Sequence, residues 1–216
     1  MSAHLAAAAA APAMAAATGS QGLWLVSRAS GVILLVLFSA VMVLGVATRT
    51  GAATRRWPRF AVAELHRTLS LFAVALLGLH VATAVLDPYV SIGWVATMLP
   101  FTSHYETLAV GAGTLAVDLA GAVLITSLLR RRLGLRTWRA VHYLAYLAWP
   151  VAFVHAIRAA SYDQHLWFVA VAEWGSLAAV TTAVLVRLMT RGRAGPPRAE
   201  PDPGQPRRYL QSAGQG

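Results

Sequence analysis

The stretch from Ala61 to Leu86, AVAELHRTLSLFAVALLGLHVATAVL, decides how the chain is read. At about 1.5 Å per residue, a helix of this length crosses the roughly 30 Å hydrocarbon core of a bilayer. It carries one histidine near each end, His66 and His80. A second apolar stretch, from Arg139 to Ile157, repeats the arrangement with His142 and His155.

The composition fits this reading. The chain has 216 residues, 57% of them hydrophobic and 12% charged, where a soluble domain carries about a quarter charged residues. Several runs exceed the roughly 18 apolar residues needed to span a membrane. The fold class expected is therefore all-α, an integral membrane bundle. The net charge of +10 rests on 18 basic residues, all arginine. They fall between the apolar runs, so they serve membrane orientation and not nucleic acid. With no cysteine, disulfide exchange, iron–sulfur clusters and thiolate metal sites are excluded. Histidine remains as the strong transition-metal ligand, beside carboxylates.

Five spans are predicted: about 23–47, 61–86, 106–129, 139–160 and 166–188. Residues 1–22 read as an Ala-rich low-complexity tail, 23–188 as the transmembrane domain, and 189–216 as a disordered Pro/Gly/Arg-rich tail. The loop at 48–60, the run at 130–139 and the C-terminal tail hold the arginines, while 87–105 and 158–165 are almost free of them. The positive-inside rule then places the N-terminus outside and the C-terminus in the cytoplasm of a multi-pass cell-membrane protein.

This topology sets depth. His66 and His142 fall near the inner face, His80 and His155 near the outer, so the pairs predicted by depth are His66 with His142 and His80 with His155. Each pair suits the two axial positions of one haem iron, with haem between the second and fourth spans. Fourteen residues put His66 and His80 about 40° apart around a helix, a good alignment. Thirteen residues put His142 and His155 about 140° apart, a poor one, so distortion is predicted near Trp149–Pro150, where proline kinks a helix. Ser70, Ala73, Ala145 and Ala152 leave room for a flat macrocycle. Structural histidines that bond a neighbouring helix are the plainer alternative, but ionisable groups inside a membrane are functional by default. His4, His104 and His165 read as solvated.

The two spacings, the basic run RRRLGLRTWRAVH at 130–142 and SRASG at 27–31 resemble the ferric reductase-like transmembrane domain family over about residues 23–188. That family includes ferric reductases, the membrane half of NADPH oxidases and the haem-binding subunit of a periplasmic methionine sulfoxide reductase. The resemblance implies two b-type haems with bis-histidine ligation and electron flow across the membrane, with FMN as a further candidate cofactor. Larger members continue into a flavin- and nicotinamide-binding domain. Fewer than 30 residues follow the last span here, without a GxGxxG cradle. The expectation is that NADPH is not oxidised unaided, and that a flavin reductase or a quinol donates electrons for an extracytoplasmic acceptor protein. Ala84 stands where the oxidases have a second outer histidine, which argues against a dedicated superoxide generator.

Arg28 lies at the depth of the outer pair and suits a haem propionate, because arginine grips a carboxylate with two hydrogen bonds; an ion pair with Glu173 is the alternative. Arg67 and Arg139 lie by the inner pair and suit inner propionates, or serve topology alone. Asp118, near the middle of the third span, reads either as a protonated hydrogen-bonding group or as part of a proton path. The functional alternative, from a different class, is a non-redox transporter or assembly subunit with structural or proton-handling histidines.

Overall fold

The fold is taken from a computed structural model that describes residues 2–50, 58–88, 90, 92–161 and 163–191, with side chains from Gln21 to Thr190. Among the described residues there are helices and no strands. Seven helices follow in order: α1 (Ser2–Thr50), α2 (Arg59–Leu86), α3 (Trp94–Met98), α4 (Thr107–Leu128), α5 (Arg130–His142), α6 (Ala145–Ala159) and α7 (Trp167–Arg191).

Among the described residues, four segments are long and apolar enough to cross a membrane alone: Gln21–Thr50, Arg59–Leu86, Thr107–Leu128 and Trp167–Thr190. The fourth predicted span, 139–160, is a broken one, α5 and α6 meeting at a 45° bend. The first helix, α1, begins at Ser2, within the Ala-rich stretch 1–22, consistent with alanine having the highest helix propensity. Part of the 48–60 loop (51–57) and the expected tail from 192 onward lie outside the described residues.

The bend corrects one expectation. Distortion was predicted at Trp149–Pro150, yet Pro150 sits inside α6 and the break falls at Tyr143–Leu144. The amide of Tyr146 bonds the Tyr143 carbonyl and that of Leu147 bonds the Leu144 carbonyl, a tighter three-residue pattern. Proline has no N–H to offer the carbonyl four residues before it, here Tyr146, and its ring crowds that carbonyl. The disturbance is thus expressed on the N-terminal side of the proline. A kink precedes it: Gly134, inside α5, has φ +75°, a conformation open to glycine at little steric cost.

The packing places α1 at the centre, against α2 on one side and α6 and α7 on the other, while α4 packs against α6. Leu35 and Met42 of α1, Trp149 and Phe153 of α6 and Val180 of α7 form the buried core. The Trp149 indole donates to Ser39 Oγ at 2.9 Å, fixing α6 on α1. Thr114 of α4 donates to the Ala96 carbonyl at 2.7 Å and anchors α3. What this leaves open is the space between α2 and the α4–α6 pair.

Candidate functional site

That space is a cavity of about 1060 Å³, lined by all four of the histidines singled out in sequence. Ser70, Ala73, Ala145 and Ala152 also line it, so the small side chains fall where the helical spacing put them. The volume slightly exceeds the roughly 300–1,000 Å³ typical of a small-molecule site. His104 and His165 are exposed. The side chain of His4 lies outside the described residues.

The structure brings the four histidines together as two pairs. His66 and His142 meet at the arginine-rich end with ring centroids 6.5 Å apart and planes at 73°. His80 and His155 meet at the other end, 6.1 Å apart at 77°. A metal–imidazole bond of about 2.0 Å, plus about 1.15 Å from nitrogen to ring centre, puts two imidazoles on opposite sides of one metal about 6.3 Å apart. Both pairs bracket that value, so one metal centre fits between the rings of each.

Hydrogen bonds fix the tautomers on three of the four rings. A carbonyl only accepts, so the Nδ1 atoms of His66, His80 and His155 donate, to Val41 at 3.0 Å, Ser27 at 2.9 Å and Ala109 at 2.7 Å. Ser30 Oγ adds a contact to His80 Nδ1 at 3.3 Å. Each ring therefore keeps Nε2 free as a metal ligand, and the carbonyl bond raises its basicity. His142 Nδ1 is buried without a partner among the described residues.

Three glycines make these bonds possible, and sequence reasoning did not assign them a role. A Cβ on Gly31 would stand 3.1 Å from His80 Cε1, one on Gly45 3.3 Å from His66 Cε1, and one on Gly113 2.7 Å from His155 Nδ1. The rings lie on bare backbone. A signal existed: Gly31 and Gly45 are separated by the same fourteen residues as His66 and His80, so two facing helices carry matched registers.

The cations are placed unevenly. Arg28 does not pair with Glu173; its Nε bonds Asp163 Oδ2 at 2.5 Å and its guanidinium lies over Trp24. Its Nη2 is buried without a partner, as is Glu173 Oε1, and both residues line the cavity. Asp163 was the missed partner, hidden because 135 residues separate the two. Arg67 is exposed and bonds Glu64 of its own helix at 3.5 Å. Arg139 is exposed on α5 at the cavity edge. Arg187, which sequence reasoning passed over, is 8% exposed, donates to the Tyr146 hydroxyl and stacks on Tyr143 and Tyr146. Asp118 is exposed on the outer surface of α4 and takes no part in the site.

The residues fit a haem at each pair: two facing imidazoles, a cavity lined in part by Ser70, Ala73, Ala145 and Ala152, and at one end a buried guanidinium nitrogen lacking an acceptor. Among curated proteins and among solved structures, none matches this chain significantly. A family model described as ferric reductase like transmembrane component matches residues 30–153, from two residues after Arg28 to two before His155. That match takes in more than half of the chain and three of the four histidines, and with the apolar helices it makes this a multi-pass membrane protein of the ferric reductase-like transmembrane family.

Proposed function

We propose that the protein carries electrons across the membrane through two b-type haems, one held by His66 and His142 and the other by His80 and His155. Family membership points to transmembrane electron transfer. The observation that carries the finer reading is the pair of imidazole separations, 6.5 and 6.1 Å, at two depths of one cavity. When bound, haem iron supplies one-electron redox chemistry. His66 with His142, and His80 with His155, would hold the two irons through Nε2 and so restrict access by other ligands. Arg28 would hold a propionate with its unpartnered Nη2, and Arg67 and Arg139 stand at the edge of the opposite site. The largely apolar cavity wall would limit the water that reaches either site.

Orientation follows from the arginines: the end with His66 and His142 faces the cytoplasm, and the N-terminus lies outside. A flavin reductase, with FMN as a candidate second cofactor, or a quinol would deliver electrons at that end. An extracytoplasmic acceptor protein would collect them beside His80 and His155.

The test is a visible spectrum and haem assay of the purified protein. Two low-spin b haems per chain are expected, one lost in His66→Ala or His142→Ala and the other in His80→Ala or His155→Ala. A haem content near zero sinks the electron-transfer reading in favour of a non-redox membrane protein. Full haem in all four variants sinks the ligand assignment.

A further inference from the structure

Three of the four cavity histidines are held by one repeated device. His80, His66 and His155 each lay the ring on a glycine, at 31, 45 and 113, and donate from Nδ1 to the carbonyl four residues before it, at Ser27, Val41 and Ala109. His142 departs from it. On α4, fourteen residues from Gly113 toward the arginine-rich end, the spacing that separates Gly31 from Gly45, stands Ser127. Its hydroxyl donates at 2.6 Å to the Val123 carbonyl, again four residues earlier, the acceptor that the device would use. The His142 ring stacks instead on Trp138 at 5.0 Å, and the Trp138 indole donates to Ser127 Oγ at 3.3 Å.

We propose that Ser127 is a positioning residue that leaves His142 the weaker donor to its metal, so that the His66–His142 site has the higher reduction potential and fills first. This rests on the two-haem reading above. An imidazole whose Nδ1–H is bonded to a carbonyl is the more basic ligand and stabilises the oxidised, more positive metal. At the other end both rings have that bond; here only His66 has it.

The surrounding charges act in the same direction. Arg49 lies over the ring of Tyr143, the residue after His142, and Arg187 lies over Tyr143 and Tyr146. Among the described residues neither has a carboxylate within ion-pair distance. At the His80–His155 end, Arg28 is offset by Asp163. Uncompensated positive charge favours the added electron. The outer site is thereby the stronger reductant, beside the acceptor, and a membrane potential negative inside drives the outward step.

Redox titration of the wild type, with the two components assigned through His66→Ala and His80→Ala, reads the order directly. The higher midpoint is expected to belong to the component lost in His66→Ala. Ser127→Gly removes both the Cβ and the competing hydroxyl; it should move that midpoint down toward the other, with the second component and the haem content unchanged. Equal midpoints, the reverse order, or a well-folded Ser127→Gly with no shift overturns the proposal while two bound haems leave the functional reading standing. The wild-type titration decides the order even where the variant does not fold. A haem-free protein overturns both.

Discussion

Gly113 and His155 are in contact so close that no side chain fits between them: a Cβ on Gly113 would lie 2.7 Å from His155 Nδ1, the atom that bonds the Ala109 carbonyl. Gly31 and Gly45 stand in the same relation to His80 and His66, at 3.1 and 3.3 Å. A methyl group added at these positions should displace the ring in that order. Overpacking costs about 1–3 kcal/mol, a loss of about 5- to 150-fold in cofactor affinity. Gly113→Ala should therefore lose one haem most readily, Gly31→Ala the same haem less readily, and Gly45→Ala the other least of all. Gly121→Ala, with open space around it, should keep both. Titrating haem into each purified variant reads the series; equal affinity in all four would mean the glycines are not ring cradles.

Arg28 and Asp163 make opposite predictions from one ion pair. Both are about three-quarters buried, with side-chain exposures of 21% and 24%. A cation near a haem stabilises its reduced form and an anion the oxidised form. Arg28→Leu should lower the midpoint of the His80–His155 component, and Asp163→Asn should raise it. The His66–His142 component should move less in both. Shifts of the same sign in the two variants would show that they act through distortion and not through charge.

The bond between Trp149 and Ser39 is a stability test that bypasses the cofactor. It is buried, 2.9 Å long, and joins α6 to α1 inside the core. Interhelical hydrogen bonds in membranes average only about 0.6 kcal/mol, with a maximum near 1.7. Ser39→Ala should destabilise by an amount in that range, because the indole N–H is left without an acceptor. Trp149→Phe should cost more, since the stacked Trp149–Phe153 contact at 5.2 Å also changes. Thermal unfolding in detergent measures both; a loss of several kcal/mol in Ser39→Ala would give this bond a larger role than membrane hydrogen bonds usually have.

The spans and the histidine pairs were legible because both depend on one-dimensional quantities. Apolar length counts out a bilayer, and helical rise sets depth, so His66 could be matched to His142 and His80 to His155 without knowing any angle. Angular relations were less legible. The fourth span had to be distorted to bring His142 and His155 onto one cavity, yet the sequence pointed to Pro150 when the break is at Tyr143–Leu144. Long-range pairs were the least legible. Nothing local ties Arg28 to Asp163, and Glu173 was an equally good partner on depth alone. The glycine cradles were visible in principle, as a fourteen-residue spacing copied on two helices, but only for a reader who already knew that α1 packs on α2.

The run RRRLGLRTWRAVH forms a cationic surface that ends at a cavity histidine, and this predicts how a soluble donor reaches the protein. In α5, Arg131, Arg132, Arg136 and Arg139 are exposed, no residue is buried, and the helix ends at His142. Arg130 is different: it stacks on Trp138 at 4.8 Å, which in turn stacks on His142, so it should be left intact in any test of docking. An acidic reductase or a reduced flavin phosphate would be drawn to the other four, and steering of this kind raises association rates by about 10- to 1000-fold. Reversing two charges, Arg131→Glu with Arg136→Glu, should slow haem reduction by a soluble flavin reductase about tenfold at low salt. The difference should fade as salt rises, because the screening length falls from about 10 Å at 0.1 M to about 3 Å at 1 M. A quinol arrives through lipid, so its rate should change little with either the variant or the salt. Stopped-flow reduction in liposomes with each donor separates the cases. Salt-independent reduction by the soluble reductase would rule out electrostatic docking on α5. Equal slowing with both donors would instead mean that the substitutions had disturbed the His66–His142 site itself.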